Sequence, residues 1–238
     1  IHADNVRRNL SSFFGWLARE EMIPKNPMLK VEKIKFTKKK KPAFSDYEVE
    51  VIRNGCRTNR ERAIVEMLLS TGCRVAELVS IRIDDIENDT VNVLGKGGKY
   101  RNVYLNAKAQ LAVALYMKER SDDNPYLFAR SVYLGGPEGN KISKAKENWY
   151  KNPELVATDG AADKGSIEST LRKIGKRNGV ENVHPHRFRR TCATFALRRG
   201  MPIEQVSRML GHANIATTQI YLDLSEEELA QAHRKYVV

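Results

Sequence analysis

Apolar residues recur at helical spacing along most of this chain. The first run, Val6, Leu10, Phe13, Phe14 and Leu17, stops before Ile23, Pro24, Asn26 and Pro27, which predicts one helix. That helix has too little apolar surface to fold alone, so it is expected to be the tail of a small helical domain. Ser45 with Glu48, and Thr58 with Glu61, have the spacing of capping boxes and mark two further helix starts. The second of these helices carries Ile64, Val65, Leu68 and Leu69 and ends at Thr71-Gly72, after which a short helical pattern resumes over 74–81. Helical patterns return over 107–120, 166–176, 186–199, 203–210, 215–223 and 225–236. Only 90–94 and 102–105 read as β, joined by the glycine-rich run Gly95-Lys96-Gly97-Gly98-Lys99-Tyr100-Arg101. The expected fold is mainly α with a small antiparallel β-sheet.

Two stretches break the periodicity. Residues 35–43 contain Lys38, Lys39, Lys40, Lys41 and Pro42 and read as a basic linker between a first unit, 1–34, and a second, 44–238. Residues 131–164 combine Gly135, Gly136, Pro137, Gly139 and Gly160 with many charges, and read as an extended surface insertion.

Charge then narrows the partner. Lys and Arg number 41 against 29 Asp and Glu, for a net charge of +12 and a pI near 9.6. This balance favours a polyanion, with nucleic acid ahead of plain solubility charge. A membrane is disfavoured, because the chain has neither an apolar stretch of spanning length nor a basic amphipathic helix with a wide aromatic face. The linker lysines suit a DNA backbone, but equally suit a solvated tether. Cys56, Cys73 and Cys192 are odd in number and lack metal-ligand spacing, so neither a disulfide framework nor a zinc site is expected, and the compartment is expected to be a reducing one.

Candidate chemistry is sparse residue by residue. His186 and Arg189 lie three apart on a predicted helix and project from one face, where a phosphate could sit, although such pairs are commonly just solvated. His212 follows a helix-ending glycine. Tyr221, beside Ile220, has the look of half-buried packing.

Their order along the chain says more. Thr71-Gly72-Cys73-Arg74-Val75-Ala76-Glu77-Leu78, Gly95-Lys96-Gly97-Gly98-Lys99, His184-Pro185-His186-Arg187-Phe188-Arg189-Arg190-Thr191, and Leu210-Gly211-His212 through Thr217-Thr218-Gln219-Ile220-Tyr221 together resemble the tyrosine recombinase, or phage integrase, family. Phe13-Phe14-Gly15-Trp16-Leu17 and Lys25-Asn26-Pro27 resemble the end of that family's helical core-binding domain. The resemblance implies a catalytic domain over 44–238 that cuts and rejoins DNA.

Carried over by position, it implies that Arg74 and Arg189 hold the non-bridging oxygens of the scissile phosphate, where charge builds in the five-coordinate transition state. Lys96 would protonate the departing 5′ oxygen, His186 would assist proton transfer, and His212 would hydrogen-bond the phosphate or position the nucleophile. Tyr221 would form a 3′-phosphotyrosine that conserves the energy of the broken bond, so no ATP, metal or other cofactor is expected. In agreement, the chain has no G-x-x-x-x-G-K-[ST] segment. Glu77 reads as the partner that orients its helix or Arg74.

Lys38, Lys39, Lys40, Lys99, Arg101 and Arg190 are the further candidates for contacting DNA. Arg190 stands where many family members have histidine, and the 131–164 insertion is longer than the usual connection. The implied partners are double-stranded DNA at specific recombination sites and a homo-tetramer on it. A last helix from Ser225, with Leu229, Ala232 and Tyr236 on one face, would dock either on a neighbour or on its own domain. Integration or excision of a mobile element is the first functional reading. A chromosome-dimer-resolving recombinase, a relaxing topoisomerase and a non-catalytic DNA-binding factor on the same scaffold are the alternatives.

Overall fold

The computed structural model describes residues 2–33, 42–95, 98, 100–133, 155–212, 214–221 and 233–234. It divides into two compact units, Ile1–Lys41 and Pro42–Val238. In the first, α1 (His2–Arg19) carries the predicted apolar repeat and is followed by a 3₁₀ turn, Pro27–Lys30. Asn26 joins them: its side-chain oxygen accepts the Met28 N–H at 2.9 Å, and its amide donates to the Ser11 carbonyl at 3.2 Å. Val6, Leu10, Phe13 and Trp16 remain exposed, so α1 buries little of its apolar face.

The second unit opens with α2 (Asp46–Asn54) and α3 (Asn59–Thr71). Ser45 forms the reciprocal box, accepting the Glu48 N–H at 3.1 Å while the Glu48 carboxylate accepts the Ser45 N–H at 2.8 Å. Thr58 forms only half of one. It accepts the Glu61 N–H at 3.1 Å, but the Glu61 carboxylate takes the Arg57 N–H and the Arg177 guanidinium instead. Then come α4 (Val75–Ser80), β1 (Ile86–Glu87), β2 (Thr90–Leu94), β3 (Tyr100–Tyr104) and α5 (Ala107–Glu119). The strands form an antiparallel sheet in the order β1-β2-β3, and Val91, Val93 and Val103 turn their side chains into the core.

Beyond lie β4 (Ala129–Tyr133), β5 (Leu155–Ala161), α6 (Lys164–Arg177), α7 (Pro185–Arg198), α8 (Ile203–Leu210) and α9 (Ala216–Gln219). Helix α3 is the axis of the core. Its Ala63, Ile64, Val65, Met67 and Leu68 are fully buried, and it packs against α2, α5, α6, α7 and β3. Glu66, also fully buried on α3, is ionically satisfied by Arg53 at 2.9 Å and Arg62 at 3.0 Å.

The mainly helical fold with a small antiparallel sheet is as expected, but the flanks of the 131–164 segment are not irregular. β4 and β5 pair antiparallel, with a shift of register between Ala129 and Arg130. Their pairing is non-local and no short turn joins them in sequence, so neither alternation nor a turn motif marked them. Residues 134–154, the linker lysines Lys38, Lys39 and Lys40, and all but two positions of the expected last helix lie outside the described residues. Among the described residues, no helix is long and apolar enough to cross a membrane.

Candidate functional site

Arg189 is built into the interior. It lies on α7, only 4% exposed, and donates from one terminal nitrogen to the Gly72 carbonyl at 2.8 Å and from the other to the Leu210 carbonyl at 2.6 Å. These bonds use two of the five guanidinium N–H donors and fix the plane of the fork. Gly72 caps α3 with φ of 58°, and a Cβ there would come within 2.8 Å of the Leu210 side chain. The glycine therefore lets the end of α3 lie directly on α8. Burial first, and then the charge of Arg74, lower the Arg189 pKa, with Glu77 and Tyr221 opposing.

The start of α7 is held just as firmly. The Arg187 guanidinium lies 4.0 Å from the Phe44 ring centroid and donates to the Glu48 carboxylate and the Glu181 and Ala43 carbonyls. Thr191 accepts the Phe44 N–H at 2.9 Å and donates to the Arg187 carbonyl at 2.8 Å. Arg187 thus anchors the helix that aims Arg189.

Arg74 sits at the N-terminus of α4, where Glu77 accepts both its backbone N–H at 2.7 Å and its guanidinium at 2.8 Å. Glu77 also accepts a two-pronged bond from Arg101, 2.9 Å to each oxygen. Burial works against the Glu77 charge, yet the Arg101 hydrogen bonds, the Arg74 N–H and the surrounding positive charge hold its carboxyl at about 2. Arg101 had been expected to reach DNA. Its side chain is instead 15% exposed and engaged inward with Glu77 and the Met209 carbonyl. No spacing rule connects β3 to Glu77, so sequence reasoning had no signal for this.

His212 follows Gly211, whose φ of 66° ends α8. Its Nδ1 lies 2.8 Å from Oγ1 of the fully buried Thr218, and the Thr218 carbonyl accepts the Tyr221 N–H at 2.9 Å. The His212 and Tyr221 rings stack with centroids 6.1 Å apart. Tyr221 itself packs partly buried against Ala193, Val206 and Leu210. Thr218 lies within the Thr217-Thr218-Gln219-Ile220-Tyr221 motif, and its contact with the half-buried imidazole of His212 gives it a task.

Arg74, Arg189, His212 and Tyr221 are thus brought together. His186 is not joined to them by any contact among the described residues: it is exposed on the first turn of α7, its ring 6.5 Å from that of His184. A separation of three residues leaves an offset of about 60° around an ideal helix, enough to bury Arg189 and expose His186. Arg190 is half-buried, with one terminal nitrogen buried and unpartnered among the described residues. Lys96 and Lys99 lie outside the described residues.

Burial first, and then the charges of Arg189, Arg74 and Arg101, push His212 from its ordinary 6.5 down to about 4. It is neutral at pH 7. Between about 6.5 and about 4 the unfolded chain therefore binds more protons at this position, and the stability tied to neutral His212 is lost as pH falls through that window. Acidification from pH 7 to 4.5 is accordingly expected to lower Tm more in the wild type than in His212→Gln. Equal acid slopes in the two proteins would contradict the assignment. A neutral imidazole, a phenol and guanidiniums gathered in this way can hold a tetrahedral oxyanion and attack it.

Residues 44–228 match the profile of the phage integrase family. The chain is 31% identical to tyrosine recombinase XerC of Leptospira interrogans over 237 residues, covering 95% of this chain and 69% of that protein. It is 33% identical to tyrosine recombinase XerA of Pyrococcus furiosus over 176 residues, covering 73% and 53%. Its fold is shared with the crystal structure of XerA recombinase, at a TM-score of 0.64 and 24% identity over 98% of this chain and 83% of that one. It is also shared with the Tn1549 transposon integrase in complex with a circular intermediate DNA, at 0.66 and 19% over 98% and 78%. The profile match over most of the chain and the extent of these relationships place it in one family: the chain belongs to the phage integrase family, the tyrosine recombinases.

Proposed function

We propose that this protein is a site-specific recombinase of double-stranded DNA that works through a covalent 3′-phosphotyrosine on Tyr221. The observation that carries the reading is the meeting of four groups: buried Arg189, Arg74 on its Glu77 anchor, and the stacked pair of neutral His212 and Tyr221. Arg74 and Arg189 hold the non-bridging oxygens, and His212 hydrogen-bonds one of them. The Tyr221 hydroxyl gives up its proton to His186 as its oxygen attacks phosphorus, the bond to the 5′ oxygen breaks, and that oxygen leaves with a proton supplied by Lys96. Reversal by a 5′ hydroxyl from another strand reseals the backbone and frees the phenol, a better leaving group than an alcohol. His186 joins proton transfer once DNA covers its exposed position, and exchange between two duplexes calls for four subunits on the DNA.

Integration or excision of a mobile element is the finer reading, supported by the long 131–164 insertion. Resolution of chromosome dimers is the second, favoured by the sequence relatives named XerC. Joining of two separate duplexes that bear dissimilar sites supports the first, whereas exchange confined to two identical, directly repeated sites on one circle supports the second.

The first test needs only a nicked duplex bearing the sequence that the protein enriches from a random pool. Incubated in EDTA without ATP and run on a denaturing gel, it is expected to yield a DNA-protein adduct. Protein that binds this duplex and yields none is not a tyrosine recombinase in action.

A further inference from the structure

We infer that Arg101 is a positioning residue that locks the His212 turn to the Arg74 helix, and not a DNA contact. The inference rests on the recombinase reading above and assigns a task within that site. Three sets of observations carry it.

The first is where the guanidinium donates. Nη1 and Nη2 each reach a Glu77 oxygen at 2.9 Å, and Nε reaches the Met209 carbonyl at 3.2 Å. The fork is therefore turned toward protein acceptors on both its end and its edge. A DNA phosphate could take it only by displacing a carboxylate that stays ionised throughout the neutral range.

The second is how closely the chain is fitted around it. A Cβ added to Gly211 would lie 3.1 Å from both Cδ and Nε of Arg101. Gly211 is thus glycine for two reasons, its left-handed backbone and the Arg101 side chain laid across it.

The third is what these partners hold. Glu77 fixes Arg74. Met209 precedes Leu210, whose carbonyl fixes Arg189, and Gly211 precedes His212. A single side chain on β3 therefore fastens the start of α4 to the turn after α8, and three of the four assembled groups hang from the two ends of that link. Its strand also begins directly after the glycine-rich connection that bears Lys96.

The test is Arg101→Lys, which keeps a positive charge beside Glu77 and so avoids stranding a buried carboxylate, but cannot bridge three acceptors. On the enriched duplex, Kd is expected to stay within about threefold, and the slope of log K against log salt to stay unchanged. The adduct-forming rate at saturating protein is expected to fall about 10²-fold, the usual cost of a misplacement of about 1 Å. A slope shallower by about 0.9, the share of one phosphate contact, overturns the inference. So does a wild-type saturated rate. Should Arg101→Lys not fold, Gly211→Ala pushes on the same link from the other side and is expected to show the same split of rate from binding; an unchanged rate there also overturns it. Wild-type protein without any adduct sinks the recombinase reading itself, whereas a wild-type adduct matched by Arg101→Lys sinks only this inference.

Discussion

A Tyr221→Phe protein is expected to fold and bind DNA as the wild type does while forming no covalent adduct. The ring of Tyr221 packs against Ala193, Val206 and Leu210 and stacks on His212, and phenylalanine keeps all of that surface. What it removes is one oxygen, the atom that must bond to phosphorus. The nearby thiols are poor substitutes: Cys73 and Cys192 are buried, and burial pushes them up to about 11 and about 12. The expected loss in single-turnover cleavage is about 10⁴-fold or more, as is common when a nucleophile is deleted. It is read as the disappearance of adduct at protein concentrations that still saturate the duplex.

Arg189→Lys is expected to show the second largest effect, and of a different kind. Lysine keeps the charge but offers a point in place of a fork, so it cannot hold the Gly72 and Leu210 carbonyls at once while facing a phosphate. Cleavage is expected to fall about 10²- to 10³-fold, the usual cost of losing one preorganised donor to a transition-state oxyanion. A buried carbonyl left unpaired costs about 1–3 kcal/mol, so Tm should fall as well. DNA affinity should change little, because one phosphate contact among many is at stake. Cleavage within a few-fold of wild type, measured at saturation, would remove Arg189 from the chemistry. The acid slope of His212→Gln and the salt slope of Arg101→Lys test the same cluster by routes that do not depend on the rate alone.

The reasons some of this was legible in the sequence, and some not, are local and non-local interaction. Ser45 with Glu48 announces α2 because the whole capping device spans four residues. Gly72 announces the end of α3 because only its own φ is at issue. The Glu61 carboxylate, in contrast, has the spacing of a capping box but serves Arg177, which is 116 residues away. Arg101 has the look of a surface cation on a half-exposed strand, and only the fold brings it to Glu77, 24 residues back, and to Met209, 108 residues on. β4 and β5 escaped for the same reason. Arg74, Arg189, His212 and Tyr221 were legible as an ordered set through family resemblance, not through any pattern of charge or period. What the geometry adds is the support: Glu77 under Arg74, two carbonyls under Arg189, and Thr218 under His212.

That support has an electrostatic logic. Glu77 is the carboxylate between Arg74 and Arg101, and at Arg189, which burial lowers first, it opposes the further lowering by the charge of Arg74. Among the described residues, one anion among several cations leaves the cluster short of negative charge, which a phosphodiester supplies.

The most direct measurement is the identity of the atom joined to DNA. Adduct trapped on the nicked duplex is denatured and digested with trypsin and nuclease, and the nucleotide-bearing peptide is sequenced by mass spectrometry. The account predicts a single modified residue, Tyr221, linked to the phosphate of a 3′ end. A nucleotide on any other side chain, or a linkage to a 5′ phosphate, would contradict it.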